Sequence, residues 1–399
     1  MQMEYYSTMR RNSALHGLAF FAAVILAMHA DIANASEQEI VVSLFKAHGP
    51  CYEIFFRGPF RVVNSSNRNS DSNIVIGSGT YSLSYDNNAF SMRSTINTAV
   101  PATKIKSDHI ELLPVTGRIA IGPESNKLRQ YRGSIEVLVY GKDLVCKNKV
   151  SLRDYVNSVV GSESRIEFPK EALKAQAVLV QTAMLRYRKG DDLNDSTEKQ
   201  AYLGAEYERA AVKQAVEETW GQSLHCNSRP VPIYFHSCCA GKTSASDLFT
   251  GKASGLPCDK AVECNFCKDS AFWKTTKTQI SKASYQVKFP EGLPEICTKD
   301  SAGRPASVKY LSNLTIYESG YQYWLKIGQR FGWGMMPGTR YELTDLKNGK
   351  IEFSSSGAGH GVGLCQWGAA GMAKSGADYK RILEYYFPGS SLKIPGKKH

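Results

Sequence analysis

Three groups of side chains in this chain have the types and spacing that chemistry requires. The first is Glu163, in Val159-Val160-Gly161-Ser162-Glu163-Ser164, read as lying between a strand-like run and the start of a helix. A carboxylate at such a junction is partly withdrawn from water, which raises its pKa and lets it hold a proton near neutral pH. That is what a general acid needs, although a glutamate there is equally a solvated surface residue, as Glu167 and Glu171 are expected to be. The second group is His236 and the cysteines after it. Cys264-Asn265-Phe266-Cys267 has the two-residue gap that lets one turn offer two thiolates, and Cys258, Cys264, Cys267 and one of Cys239 or His236 would complete a tetrahedral zinc set. One or two disulfides are the alternative, and a thioredoxin-like redox site is disfavoured because no βαβ context surrounds Cys264. The third group is His360, Cys365 and Gln366. A thiol-protease pair is disfavoured, since no third residue is at hand to orient the histidine, which leaves Cys365 a structural or incidental thiol.

The elements around these residues follow from periodicity. Six glycines fall within the 17 residues from Gly357. A plain helix would not carry them, because each internal glycine costs about 1 kcal/mol relative to alanine. They predict a sharply bent loop that presents His360 and Gln366 and then enters a helix through Ala369, Ala370, Met372 and Ala373. From Ser36 to about residue 130, apolar and polar residues alternate with turn-formers between runs, which predicts a β-rich region. Ile135-Glu136-Val137-Leu138-Val139-Tyr140 extends it. A helix is predicted from Pro169, placed at its first position, with Leu173, Ala177, Val180 and Met184 on one face. Another is expected from Tyr207 to Thr219, ending before Gly221. Strands are expected at Val231–Phe235, Leu314–Tyr317, Tyr323–Ile327 and Ile351–Phe353. The fold class is thus α+β, a β-rich N-terminal region (36–130) followed by strands packed with several helices (131–392) and a basic tail (393–399).

Lys and Arg number 49 against 37 Asp and Glu, a net charge of +12 that favours an anionic partner. The N-terminus narrows the choice. Arg10-Arg11, the apolar run Leu15 to Met28 and the small-residue site Ala33-Asn34-Ala35 follow the order of a secretory signal peptide over residues 1–35. The run is too short for the roughly 20 residues of a spanning helix, though an uncleaved anchor is the alternative. Export, to a periplasm or a cell wall, argues against nucleic acid as the partner. It also permits disulfides among the ten cysteines.

The long motifs resemble a known family. Gly359-His360-Gly361-Val362-Gly363-Leu364-Cys365-Gln366-Trp367-Gly368-Ala369 is similar to the C-terminal signature of the SpoIID (stage II sporulation protein D) family, usually Gly-His-Gly-Val-Gly-Met-Ser-Gln-Tyr-Gly-Ala. The helix Glu171-Ala172-Leu173-Lys174-Ala175-Gln176-Ala177-Val178 resembles its second signature, residue for residue. Gln200-Ala201-Tyr202-Leu203-Gly204 and His236-Ser237 recur between them in the expected order. The resemblance covers roughly Tyr131 to Leu392 and does not clearly extend before it.

The resemblance implies a peptidoglycan lytic transglycosylase whose single catalytic glutamate falls on Glu163. It implies that His360 and Gln366 line a glycan cleft, with Gly361 and Gly363 letting the sugar approach the backbone and Gln176 and Lys174 also contacting substrate. It further implies a Cys/His-held metal in some members, which favours zinc here. Glycan strands are the expected partner; the alternative is a catalytically silent wall-binding protein or amidase enhancer with a cell-wall amidase as partner, since some relatives are described as enhancers. In one departure Ser164-Arg165 replace the usual Met-Pro, and Arg165 beside Glu163 would lower the carboxyl pKa.

Overall fold

The computed structural model describes residues 38–64, 74–97, 99, 101–187, 191, 193–196, 200–311, 315–346 and 348–395. The expected signal peptide and the end of the basic tail lie outside them. The chain divides into two compact units, one of residues 1–163, 188–213 and 394–399 and the other of residues 164–187 and 214–393.

The first unit bears out the β-rich reading. Its strands are β1 (Glu39–Ser43), β2 (Glu53–Asn64), β3 (Ile74–Asp86), β4 (Ala89–Ser94), β5 (Thr103–Ile105), β6 (His109–Pro114), β7 (Ile119–Gly122), β8 (Arg129–Tyr131), β9 (Ser134–Tyr140) and β10 (Asp143–Ser151). They form one antiparallel sheet in the order β1-β10-β9-β6-β2-β3-β4-β5, with β7 joining β2 to β8. Alternation decides which face is covered: Leu144, Cys146, Asn148 and Val150 of β10 are buried and the residues between them are more open. Helix α1 (Leu152–Glu163) follows directly. This corrects the strand-like reading of Val159-Val160. Leu152, Tyr155, Val156, Val159 and Val160 are buried at helical spacing, and Ser151 Oγ accepts from Asp154 N at 3.1 Å to cap the first turn. Burial of that face overrides the β preference of two adjacent valines.

In the second unit, α2 (Lys170–Met184) starts one residue later than expected, with Pro169 extended at the N-cap position. Leu173, Ala177, Val180 and Met184 are all buried, as the spacing requires. The chain passes into this unit through α3 (Ala210–Glu218). Short pairs follow, with β11 (Ser223–Cys226), β12 (Arg229–Pro230), β13 (Phe235–His236), β14 (Gly241–Lys242) and β15 (Glu263–Cys264). Val231–Tyr234 is not a strand, contrary to expectation, and Pro232 there has no N–H to give a ladder.

A second core forms from β16 (Thr276–Ser281), α4 (Lys282–Lys288), β17 (Glu295–Lys299), β18 (Pro305–Leu311), β19 (Thr315–Ser319), α5 (Gly320–Phe331), β20 (Arg340–Leu346) and β21 (Lys350–Ser356), around Tyr285, Phe289, Tyr323 and Phe353. Tyr323–Ile327 is therefore helix, not strand. Ser319 Oγ accepts from Gln322 N at 3.0 Å, and Tyr323, Trp324 and Ile327 bury one face. β22 (Leu364–Cys365), α6 (Gln366–Lys374), α7 (Tyr379–Tyr386) and β23 (Ser391–Lys393) complete the unit. α2 packs on α6 and α7. Among the described residues no helix is long and apolar enough to cross a membrane.

Candidate functional site

Glu163 is the last residue of α1, and the segment around Gln200–Tyr207 holds that end of the helix. Ser158 Oγ donates to Gly204 O at 2.9 Å, and Ser162 Oγ accepts from Leu203 N at 3.2 Å. Gly161 is required here, because a Cβ would lie 2.1 Å from Tyr207 O. Tyr202 stacks on Tyr155 at 5.3 Å and donates its hydroxyl to Asn148 Oδ1 of β10. Glu163 Oε1 accepts from Ala201 N at 2.5 Å. Burial pushes the carboxyl pKa up to about 7, against the lowering effect of that single N–H. The negative end of the α1 dipole acts in the same direction as burial. The expected depression by Arg165 is not found. That guanidinium pairs with Glu167 and lies 5.5 Å over the Trp367 ring.

The second unit carries the other residues read from sequence. In the glycine loop Gly357, Gly359, Gly361 and Gly363 have φ of 83°, 87°, 83° and 71°, so every second residue is left-handed. The loop is stitched on both sides: Ala358 N donates to Cys238 O at 2.8 Å, Gly359 N to Pro337 O at 2.9 Å, and Ser244 N to Gly361 O at 2.8 Å. The room beside Gly361 and Gly363 is filled by the protein itself. A Cβ at Gly361 would lie 2.2 Å from Arg304 Nε, and one at Gly363 2.2 Å from Tyr234 O. Internal packing, rather than the approach of a sugar, thus demands these two glycines.

His360 Nδ1 accepts from Val362 N at 3.1 Å, and the ring sits among Phe249, His236 and Tyr234. Burial drives its pKa down to about 4, so the imidazole is neutral at pH 7. Gln366 opens α6 and is buried, and Gln176 of α2 is 2% exposed; among the described residues neither Gln366 Nε2 nor either Gln176 amide atom has a hydrogen-bond partner. Buried amides in that state are suited to a polar ligand or water. Lys174 is bracketed by Glu171 and Glu218, each at 2.7 Å.

The cysteines sort differently from the expected set. The Sγ atoms of Cys239, Cys264, Cys267 and Cys365 lie within 4.8 Å of one another, all four buried. Cys365 takes the place read for Cys258, and of the two alternatives for the fourth position Cys239 joins the group and His236 does not. Cys258 stands instead within hydrogen-bond reach of the Cys226 thiol, and His236 places Nδ1 3.0 Å from Val362 O. The cause is tertiary: β13 pairs in parallel with β22, which sets Cys365 opposite His236 and next to Cys239. Two glycines of α6 allow the approach, since a Cβ at Gly371 would meet Phe266 O at 2.0 Å and one at Gly368 would meet Cys264 Sγ at 2.6 Å.

The set suits a tetrahedral ion. Zinc–sulfur bonds of about 2.3 Å give tetrahedron edges of about 3.8 Å, and Cys239 Sγ and Cys267 Sγ are 3.6 Å apart. Cys365 Sγ accepts from Cys239 N and Gly368 N, both at 3.3 Å, and the Tyr386 hydroxyl lies 3.0 Å from Cys264 Sγ. Donors aimed at sulfur are what metal-bound thiolates require. This four-cysteine group could hold a metal.

Similarity to known proteins gives the Glu-Ala-Leu-Lys-Ala-Gln helix and the glycine loop a cell-wall-related setting. The chain belongs to the SpoIID family. The family model described as stage II sporulation protein matches residues 140–225. The chain is 30% identical over 275 residues to an uncharacterized protein of Brachyspira hyodysenteriae, covering 66% of this chain and 72% of that one. It is 28% identical over 287 residues to stage II sporulation protein D of Bacillus subtilis, covering 65% and 79%. It is also 23% identical over 291 residues to an amidase enhancer of the same organism, covering 59% of this chain and 40% of the enhancer.

Proposed function

We propose that the protein is a peptidoglycan lytic transglycosylase in which Glu163 acts as acid and then as base. Protonated Glu163 gives its proton to the glycosidic oxygen between MurNAc and GlcNAc as the bond to MurNAc C1 breaks. The resulting carboxylate takes the proton of the MurNAc C6 hydroxyl, whose oxygen bonds to C1. The product is a 1,6-anhydro end, no water is consumed, and the carboxyl returns to its starting state. One carboxyl therefore suffices, unlike hydrolysis with two. The observation that supports this most is the Glu163 carboxyl raised to about 7, which keeps both protonation states accessible at neutral pH. Gln176, Gln366 and His360 are the proposed glycan contacts, the two amides because both Gln176 amide atoms and Gln366 Nε2 have no partner among the described residues. Lys174, already held by two carboxylates, would contribute through its stem.

Purified sacculi digested with wild type should release anhydro-muropeptides detectable by mass spectrometry, and Glu163→Gln should release at least about 100-fold less. Equal release by the two proteins removes Glu163 from the mechanism. The name of the amidase enhancer among the relatives favours a second reading, a silent wall-binding partner of an amidase. It predicts sacculus binding with no anhydro product and faster cutting by an added amidase. In both readings the protein is exported, and the N-terminus of the mature protein should then be Ser36.

We infer also that Cys239, Cys264, Cys267 and Cys365 hold zinc. Four protein ligands leave no open position, so the ion would brace the fold rather than activate water.

A further inference from the structure

Arg304 lies in the turn between β17 and β18 and is 1% exposed. Its guanidinium donates to Thr339 Oγ1 at 3.1 Å, Lys242 O at 2.9 Å, Ser244 Oγ at 3.1 Å and Cys239 O at 2.9 Å. None of these four acceptors carries a charge. Asp300 lies beside it: the Ser244 hydroxyl donates to the Asp300 carboxylate, which also accepts from Arg304 N at 2.8 Å. A second guanidinium, that of Arg340, donates to the next carbonyl, Ala240 O, at 2.9 Å. Two cations and one carboxylate therefore converge on Cys239-Ala240. One carboxylate for two cations leaves a positive charge in excess, which is costly in a buried setting, and the four-cysteine group offers the balancing anion. A divalent ion with four thiolates carries a net charge of −2, and the first of those thiolates belongs to the residue whose carbonyl Arg304 grips.

The same side chain also bears on the glycine loop. Arg304 Nε fills the space beside Gly361, and Thr339, which accepts from it, donates its hydroxyl to His360 O at 2.8 Å. We propose that Arg304, assisted by Arg340, is the counter-charge of an anionic metal–thiolate centre at Cys239, Cys264, Cys267 and Cys365, and so ties metal occupancy to the seat of the His360 loop. This rests on the zinc reading above. It makes Arg304 a positioning residue that touches no reacting atom.

The test uses the full chain and competition for zinc with a chromophoric chelator. A counter-charge role predicts that Arg304→Gln weakens zinc binding by about tenfold or more, while Arg304→Lys, which keeps the charge and loses the fork, stays within about threefold of wild type. A hydrogen-bonding role alone predicts the reverse order, and that result, or equal affinity in all three proteins, overturns the proposal. Should either Arg304 variant fail to fold, the more exposed Arg340→Gln decides. It should bind zinc several-fold more weakly while the metal-free protein melts as wild type does, and unchanged affinity there overturns the proposal. Wild type that takes up no zinc removes the centre and this role together. Zinc-loaded wild type with an indifferent Arg304→Gln removes only the role.

Discussion

At the scale of single residues, two groups have pKa values moved in opposite directions by the same cause. Burial disfavours charge, so it raises the Glu163 carboxyl to about 7 and lowers the His360 imidazole to about 4. For Glu163 the folded value lies above the unfolded one. The charged form is therefore disfavoured in the fold, and stability falls as pH rises from about 4.5 through about 7. Glu163→Gln should accordingly melt higher than wild type at pH 8, by about 1–3 kcal/mol of stability, with the gap closing below pH 4.5. For His360 the folded value is depressed, so its contribution is present above about pH 6.5 and is lost as pH falls towards about 4. His360→Asn should flatten the melting curve over that window. A wild-type acid limb unchanged by the substitution would show that other groups set it. Glu163 was legible as a residue, since its type and its place before the Glu-Ala-Leu helix mark it. Its raised pKa was not, because that depends on Ala201 and the turn from Gln200 to Tyr207 closing over the end of α1.

At the scale of elements, the glycines report distances between backbones. Gly371 of α6 lies against Phe266 O, and a methyl there would sit at 2.0 Å from it. Gly371→Ala should force α6 away from the cysteine loop and destabilise the protein by about 1–3 kcal/mol. Gly334, with nothing within 4 Å of its would-be Cβ, supplies the control, and Gly334→Ala should leave the melting temperature within a degree or two. Equal melting of the two variants would show that α6 has slack. Periodicity found α2 and α6 because one face of each is buried continuously. It mistook α1 and α5 for extended chain, since adjacent valines in one and Tyr-Trp-Leu in the other carry β preference that only the packed core overrules.

At the scale of the whole molecule, a metal at four cysteines would join the loop after β13, the Cys264–Cys267 turn and the start of α6. Chelation should lower the melting temperature by several degrees, and metal analysis should return one zinc per chain. Cys365→Ser should lose most of that zinc, whereas Cys258→Ser should keep it. A melting temperature that falls with a thiol reductant and not with a chelator would instead indicate disulfides. On the proposed function the net charge of +12 would meet the anionic lactyl groups of glycan strands, and raised salt should then weaken sacculus binding.

The sequence by itself determined the α+β class, the β-rich first region, the helix bearing Gln176 and the family, because each of these is written in local periodicity or in contiguous motifs. Only the tertiary structure decided which cysteines meet, why Gly361 must lack a side chain and that Arg304 lies buried beside Cys239. These are pairings across as many as 126 positions of chain, set by a two-residue parallel bridge and a single buried guanidinium. Neither leaves a repeat or a spacing in the sequence from which it could be read.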